Sequence, residues 1–370
     1  MSEIPFDPSH EGTETAAQSP ETQSTTSHVD RMAAAFKQSA EALPDDFPPV
    51  DIQVFLGGHG TRGDVGELRD HLDQIDIVMP EVMAWTDEGY RNKKAVLNDY
   101  NTRAEKITLG DQVLAGAHRE SPFQYELLSA LKATSKELAM FDVPAGHELE
   151  TKLRALHNGE GGPSYADTWQ QELADVKDNV LAEAQIQSER EEYMAEHIVP
   201  AIQEILTRNG RLRHKDRVTA AVILGSAHSA VFHALQKGYE GPNEHIYMNG
   251  KPFVQNYFTE GVRDGIFGKE LEDDQLCKIW LEGGIKHEVW QALSFLETTD
   301  SKDAYIRALV GSFSPADAED VFNHAKRGQP TDSYFLELAR AKGITVPPAS
   351  REEAIDFIKN TSPVQQNETP

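Results

Sequence analysis

One arrangement occurs twice in this chain and limits its fold more than any other feature. The segment "DIQVFLGGH", residues 51–59, is an apolar run with β-branched residues that closes on glycines and a histidine. The amphipathic "DVGELRDHLDQ" follows, with Val65, Leu68 and Leu72 on one face. Far downstream, "RVTAAVILGSAH", residues 217–228, ends in the same way before the helical "SAVFHALQ". Each run has the length of a buried strand, bounded by turn residues. A further apolar run follows each helix: "IDIVMPEVMAW", ending as a strand near Glu81, and a segment around 244–248. Strand, helix and strand at this spacing give parallel strands in a covered sheet. The expected fold is therefore α/β, with duplicated strand–His–helix–strand units in a mainly parallel sheet. Both histidines would stand at carboxyl ends of strands, where open sheets of this kind build their sites.

The remaining segments divide the chain. Residues 1–45 are rich in Ser, Thr, Glu, Gln and Pro, and such a segment cannot bury enough surface to offset its ordering entropy. They read as a disordered acidic tail containing a short helix around "RMAAAFKQSAEAL", and residues 361–370 read as a second tail. Residues 46–250 hold the α/β domain. Within it, "LAMFDVPAG" suggests another strand with Asp142 near its end, and a long helix spans about 165–208, which Pro200 should kink. Residues 251–360 form an appended helical region, with a boundary near "NGKP".

Charge narrows the function classes. Asp plus Glu number 61 against 35 Lys plus Arg, a net charge of −26. No basic stripe is present for a nucleic-acid backbone, and an anionic surface is repelled by anionic lipid. The start "MSEIPFDPSHEGTETAAQSPETQS" lacks the apolar core of a signal peptide, and no apolar run approaches the ~20 residues of a membrane span. A cytoplasmic protein acting on a small molecule or peptide is the expectation; the oligomeric state is not legible. The single cysteine, Cys277, cannot form an intramolecular disulfide and reads as a packed thiol.

Four residues carry the candidate chemistry. A histidine after a strand is ordinarily a hydrogen-bonded turn residue, but His59 follows Gly57 and Gly58, which permit close backbone approach. His228 repeats the arrangement. Glu81 should leave its strand on the same side of the sheet, where it can support a proton relay or share a metal. Arg190 extends the apolar stripe of Met194, Ile198, Ala201, Ile202 and Ile205 back by one turn, so it points inward and needs a buried partner; Glu189 is adjacent. The rest of "SEREEY" reads as a solvated charge run. His197, on the same helix, is a reserve candidate.

The order strand–Gly–His, strand–Glu, helix with Arg and Met, strand–Gly-x-x-His resembles the superfamily that unites erythromycin esterase-like proteins, ChaN-like proteins and the TraB/PrgY/GumN/Tiki group. "HGTRGDVGELRDHL" is similar to the esterase opening, "REEYMAEHI" to the helix carrying Arg and Met-Ala, and "GSAH" with "ALQKGYE" to the second Gly-x-x-His and its helix end. The likeness spans roughly residues 50–250. It implies a hydrolytic α/β fold with His59, Glu81, Arg190 and His228 around one crevice. The Tiki-like branch implies a divalent metal (Mn, Co or Zn) on His59, Glu81 and His228 and cleavage of peptide bonds. The esterase-like branch implies a histidine general base without an obligatory metal. "LGGH" departs from the Tiki pattern, with leucine where the first glycine belongs. Some superfamily members bind haem or act in signalling. The expectation is a hydrolase of an ester or amide bond, with a non-catalytic ligand- or haem-binding module as the alternative.

Overall fold

In the computed structural model the described residues are 27–86, 88–89, 122–131, 134, 136–157, 165–239, 256–328 and 331–361. The strand expected at 244–248, the boundary near "NGKP" and both chain ends lie outside them. The fold is mixed α/β around a four-stranded parallel sheet. Its strands are β1 (Val50–Gly57), β2 (Ile77–Pro80), β3 (Glu137–Leu138) and β4 (Val218–Gly225), in the order β1-β4-β2-β3. The two strands of the first expected unit are parallel but not neighbours, because β4 lies between them. Val50–Gly57 pairs residue for residue with Val218–Gly225, and Ile77–Pro80 pairs with Ala220–Ile223 on the other side.

Covering helices explain the continuous apolar run of β4, since a central parallel strand is buried on both faces. Ala220, Val222 and Leu224 join a core with Val54 and Leu56 of β1, and with helices α1 (His28–Glu41), α5 (Trp169–Arg208), which follows the short α4 (Glu148–His157), and α6 (Ser229–Gly238). The alternate residues Ala221 and Ile223 pack on the opposite side with Phe55, with Leu68 of α2 (Gly66–His71), and with Phe123 and Leu127 of α3 (Pro122–Leu131). This is the two-residue alternation of a strand, with apolar residues on both faces.

The short helix expected around "RMAAAFKQSAEAL" is present as α1, and it docks on the core. Ser27 caps α1 through its hydroxyl, and His28, Met32, Ala33 and Phe36 are buried. Four inward side chains at helical spacing suffice to dock one short helix. Gly238 permits the close crossing of α1 and α6: a Cβ there would lie 2.0 Å from the Ala33 carbonyl oxygen.

Helix α5 has 40 residues, is capped by Thr168 and continues unbroken through Pro200. At 1.5 Å per residue it spans about 60 Å, enough to serve two cores. Met194, Ile198 and Ile202 face the sheet, while Trp169, Leu173, Val180 and Ala184 enter a second, helical core. That core includes α7 (Tyr257–Ile266), α8 (Asp273–Ala292) and α9 (Thr299–Gly311), followed by three further helices. Among the described residues no helix is long and apolar enough to cross a membrane.

Candidate functional site

The parallel strands β1, β4 and β2 run out on the same side of the sheet, and their register brings the chemistry to one place. Gly57 lies opposite Gly225, with His59 two residues beyond one and His228 three beyond the other. Glu81 follows Pro80 directly and donates its backbone N–H to the Ile223 carbonyl at 2.9 Å, which fixes where its side chain begins. Its Oε2 accepts the Gly225 N–H. A Cβ at Gly225 would lie 3.1 Å from that oxygen, so the glycine permits the approach.

Arg190 reaches this carboxylate from α5. Its Nη2 donates to Glu81 Oε1 at 2.8 Å and to Asp142 Oδ2 at 2.6 Å, while Nε donates to Asp142 Oδ1 at 3.0 Å. The Asp142 contact is the two-point fork of guanidinium on carboxylate. The expected partner Glu189 instead holds Lys152, 2.9 Å away near the surface. Burial weakens the case for a charged Arg190, but Glu81 and Asp142 outweigh it and hold the guanidinium firmly protonated.

His228 is buried. Its Nδ1 lies 3.1 Å from Glu191 Oε1, and its Nε2 stands 3.3 Å from both Glu81 Oε1 and Arg190 Nη1. Burial alone would make the ring neutral; Glu81 and Glu191 reverse that and push its pKa up to about 9. Both ring nitrogens of an imidazolium are donors, so Nε2–H serves Glu81. Arg190 Nη1 then turns to Gln187 Oε1, at 3.3 Å. Burial would raise the Glu81 carboxyl, but His228 and Arg190 hold it well below the usual range. Glu191, also opposed by burial, is held down by His228 and by His28, whose Nε2 is 2.7 Å from its Oε2.

His59 is treated differently. Its side chain is 21% exposed, and Nδ1 faces Glu81 Oε2 at 4.0 Å. The ring stacks on Phe123, with centroids 4.4 Å apart and planes 17° apart. Burial lowers its pKa, and Glu81 and Asp64 only partly oppose this. His59 is accordingly the neutral imidazole at the mouth and His228 the cationic one below it.

All four expected residues therefore converge. His197 does not join them: it stacks on Tyr193 and directs Nδ1 to the Tyr193 carbonyl at 2.7 Å. Three participants escaped the sequence reading. Asp142 was placed near a strand end but given no role. Glu191 belongs to "SEREEY", which is not a wholly solvated run, since both Arg190 and Glu191 are buried. His28 lies in the segment expected to be disordered. The signal for Glu191 was its position three residues before Met194 on the inward stripe.

Among the described residues no group of three or more His, Cys, Asp or Glu side chains is arranged to hold a metal ion. Comparison of the chain with family models, curated proteins and solved structures gives no match.

Proposed function

We propose that the crevice hydrolyses an ester or amide (peptide) bond, with His59 as general base. One observation carries this reading: a single carboxylate, Glu81, faces two histidines whose surroundings drive them to opposite charge states. Titratable neighbours pushed apart in this way mark a division between acid–base and electrostatic roles. His59 is neutral, half-buried and held flat by Phe123, so with its hydrogen on Nδ1 toward Glu81 it presents the Nε2 lone pair to water. It takes one proton as water adds to the carbonyl carbon and returns it to the departing alcohol or amine. The 4.0 Å gap to Glu81 exceeds a hydrogen bond, and such contacts tighten when substrate excludes water. Arg190 and His228 keep Glu81 ionised and fixed. The near-equivalent placement of His59 and His228 beyond paired glycines supports two related strand–His–helix halves.

The donor set fits the metal-free branch better than the metal branch. Both Glu81 oxygens are engaged, by Arg190 and by the Gly225 N–H. A Mn, Co or Zn ion on His59, Glu81 and His228 would also stand against the Arg190 guanidinium, itself 3.3 Å from His228 Nε2. We derive no step through a metal.

The test is turnover of p-nitrophenyl esters and aminoacyl p-nitroanilides by the full chain, with and without chelator. Activity that survives chelation and disappears in His59→Gln, with folding intact, is expected. No turnover of either substrate class, or full activity in His59→Gln, overturns the reading. Activity restored only by added Mn, Co or Zn moves it to the metal form.

A further inference from the structure

Among the described residues, one ammonium next to the His59 loop has no counter-ion. Lys302 lies on α9, one turn beyond Thr299, and is 8% exposed. Among the described residues its ammonium makes no ion pair and no hydrogen bond; it lies 4.9 Å over the ring of Trp290. Three other buried or partly buried cations are compensated. Arg190 has Glu81 and Asp142, and Lys278 has Asp274 together with the Phe313 carbonyl. Lys286, which shares the Trp290 ring, has Glu282 and Asp303. Asp64 acts on Lys302 only through its field, because its oxygens are already engaged. Oδ2 accepts from the Thr61 N–H at 2.8 Å and the Thr299 hydroxyl at 2.7 Å, and Oδ1 accepts from the Thr299 N–H at 2.9 Å. Burial consequently lowers the Lys302 pKa, with Asp64 offsetting it only in part. The stem of Lys302 is buried while its ammonium opens onto a cavity, over an aromatic face and without a counter-ion, where an incoming anion can pair with it.

The position of this charge gives it a use. Lys302 and Trp290 line a cavity of about 690 Å³ whose wall includes Gly60 and Thr61, the two residues after His59. Gly60 is tied to α9 through its N–H, which donates to Thr299 Oγ1 at 3.0 Å. Pro122 also lines the cavity, next to the Phe123 that stacks on His59. Arg69 is there too, but its guanidinium is spent on Glu126. The helical region therefore brings an ammonium without a described ion pair, together with Glu297 of the turn before α9, to a cavity bordered by the two residues after His59.

We propose that this cavity binds the carboxylate of an acid-bearing substrate, with Lys302 as its counter-ion and Trp290 as an apolar floor. The proposal rests on the hydrolase reading for the word substrate and stands on its own as a binding site. A carboxylate is favoured over a phosphate because one ammonium matches one negative charge. Phosphate sites gather several donors, commonly with a bidentate arginine, and the chain's net charge of −26 opposes a dianion further.

Binding is read without turnover, by tryptophan fluorescence and thermal shift of the full chain titrated with hexanoate at constant ionic strength. Phosphate and chloride are parallel arms. Saturable binding of hexanoate is expected, weakened about ten-fold or more in Lys302→Met by the loss of one charge-assisted contact. Lys302→Arg, which keeps the charge, should stay within a few-fold of wild type and guards against a folding defect in the first variant. Equal hexanoate binding by wild type and Lys302→Met, or no saturable binding by wild type, overturns the proposal. Phosphate binding tighter than hexanoate overturns the carboxylate assignment. Hexanoate binding without any ester or amide turnover would retain the site and remove the hydrolase reading.

Discussion

Nε2 of His228 stands 3.3 Å from Oε1 of Glu81, inside the hydrogen-bonding and ionic reach of a buried pair. The same carboxylate turns its other oxygen toward His59 at 4.0 Å. Glu81 is thus a fixed negative charge between two imidazoles. The lower one is enclosed by carboxylates and charged; the upper one has lost water without gaining a close partner. Chain order alone would not predict this difference, since both histidines follow equivalent strand ends.

Stability should fall on the alkaline side. The folded His228 pKa of about 9 lies above its ordinary 6.5, so its contribution is fully present below about pH 6.5 and is lost as pH rises through 9. Between those values the slope is at most about 1.4 kcal/mol per pH unit for one proton. Glu81 works in the opposite direction. Its depressed pKa gives stability present above the ordinary carboxylate range and lost in strong acid as pH falls through its folded value. Urea midpoints measured from pH 5 to 10 should therefore decline above neutrality, and His228→Gln should flatten that decline. An unchanged alkaline slope in the variant would remove His228 as its source.

Arg190→Met should destabilise the fold by about 3–5 kcal/mol, the cost of leaving a buried carboxylate without its cation. Asp142, only 1% exposed, loses its cation, while Glu81 loses one of two and keeps the His228 imidazolium. Arg190→Lys keeps the charge but not the fork and should fall between Met and wild type. Chemical denaturation at pH 7 measures both. A Met variant as stable as wild type would show that the cluster is not held by this cation.

The site was legible where local pattern decides position and illegible where tertiary contact does. His59 and His228 announce themselves because glycine and histidine follow runs that can only be buried strands. Arg190 was found because a stripe of Met194, Ile198 and Ile202 fixes the inward face of its helix. The partners of Arg190 depend on which strands become neighbours, and the insertion of β4 between β1 and β2 is not encoded in local periodicity. Hence Asp142 was seen without a role, and adjacent Glu189 seemed the natural ion pair. His28 failed for another reason: composition averages over a tail, whereas docking needs only Met32, Ala33 and Phe36 at helical spacing.

Cys277 should resist alkylation in the native protein. It is 2% exposed, and burial pushes its thiol up to about 11, so the reactive thiolate is scarce at neutral pH. Iodoacetamide at pH 7.5 should modify it only at the rate of opening or unfolding, as followed by intact mass. Rapid stoichiometric labelling would mean that the helical core around it opens readily.

The contact between the His59 loop and α9 offers a test on two glycines of one segment. A Cβ at Gly58 would lie 2.2 Å from Thr299 Cβ and 2.4 Å from its Cγ2, in the first turn of a 13-residue helix that cannot yield without shifting. Overpacking of this kind costs about 1–3 kcal/mol. Because the displaced loop carries His59, Gly58→Ala should also reduce any turnover. Gly66, at the start of α2, has ordinary right-handed helical backbone angles, and nothing lies within 4 Å of an added Cβ. Gly66→Ala should therefore stabilise by roughly 0.5–1 kcal/mol through helix propensity. Thermal denaturation of the two variants should move in opposite directions from wild type. Equal shifts would mean that Thr299 does not crowd a side chain placed at position 58.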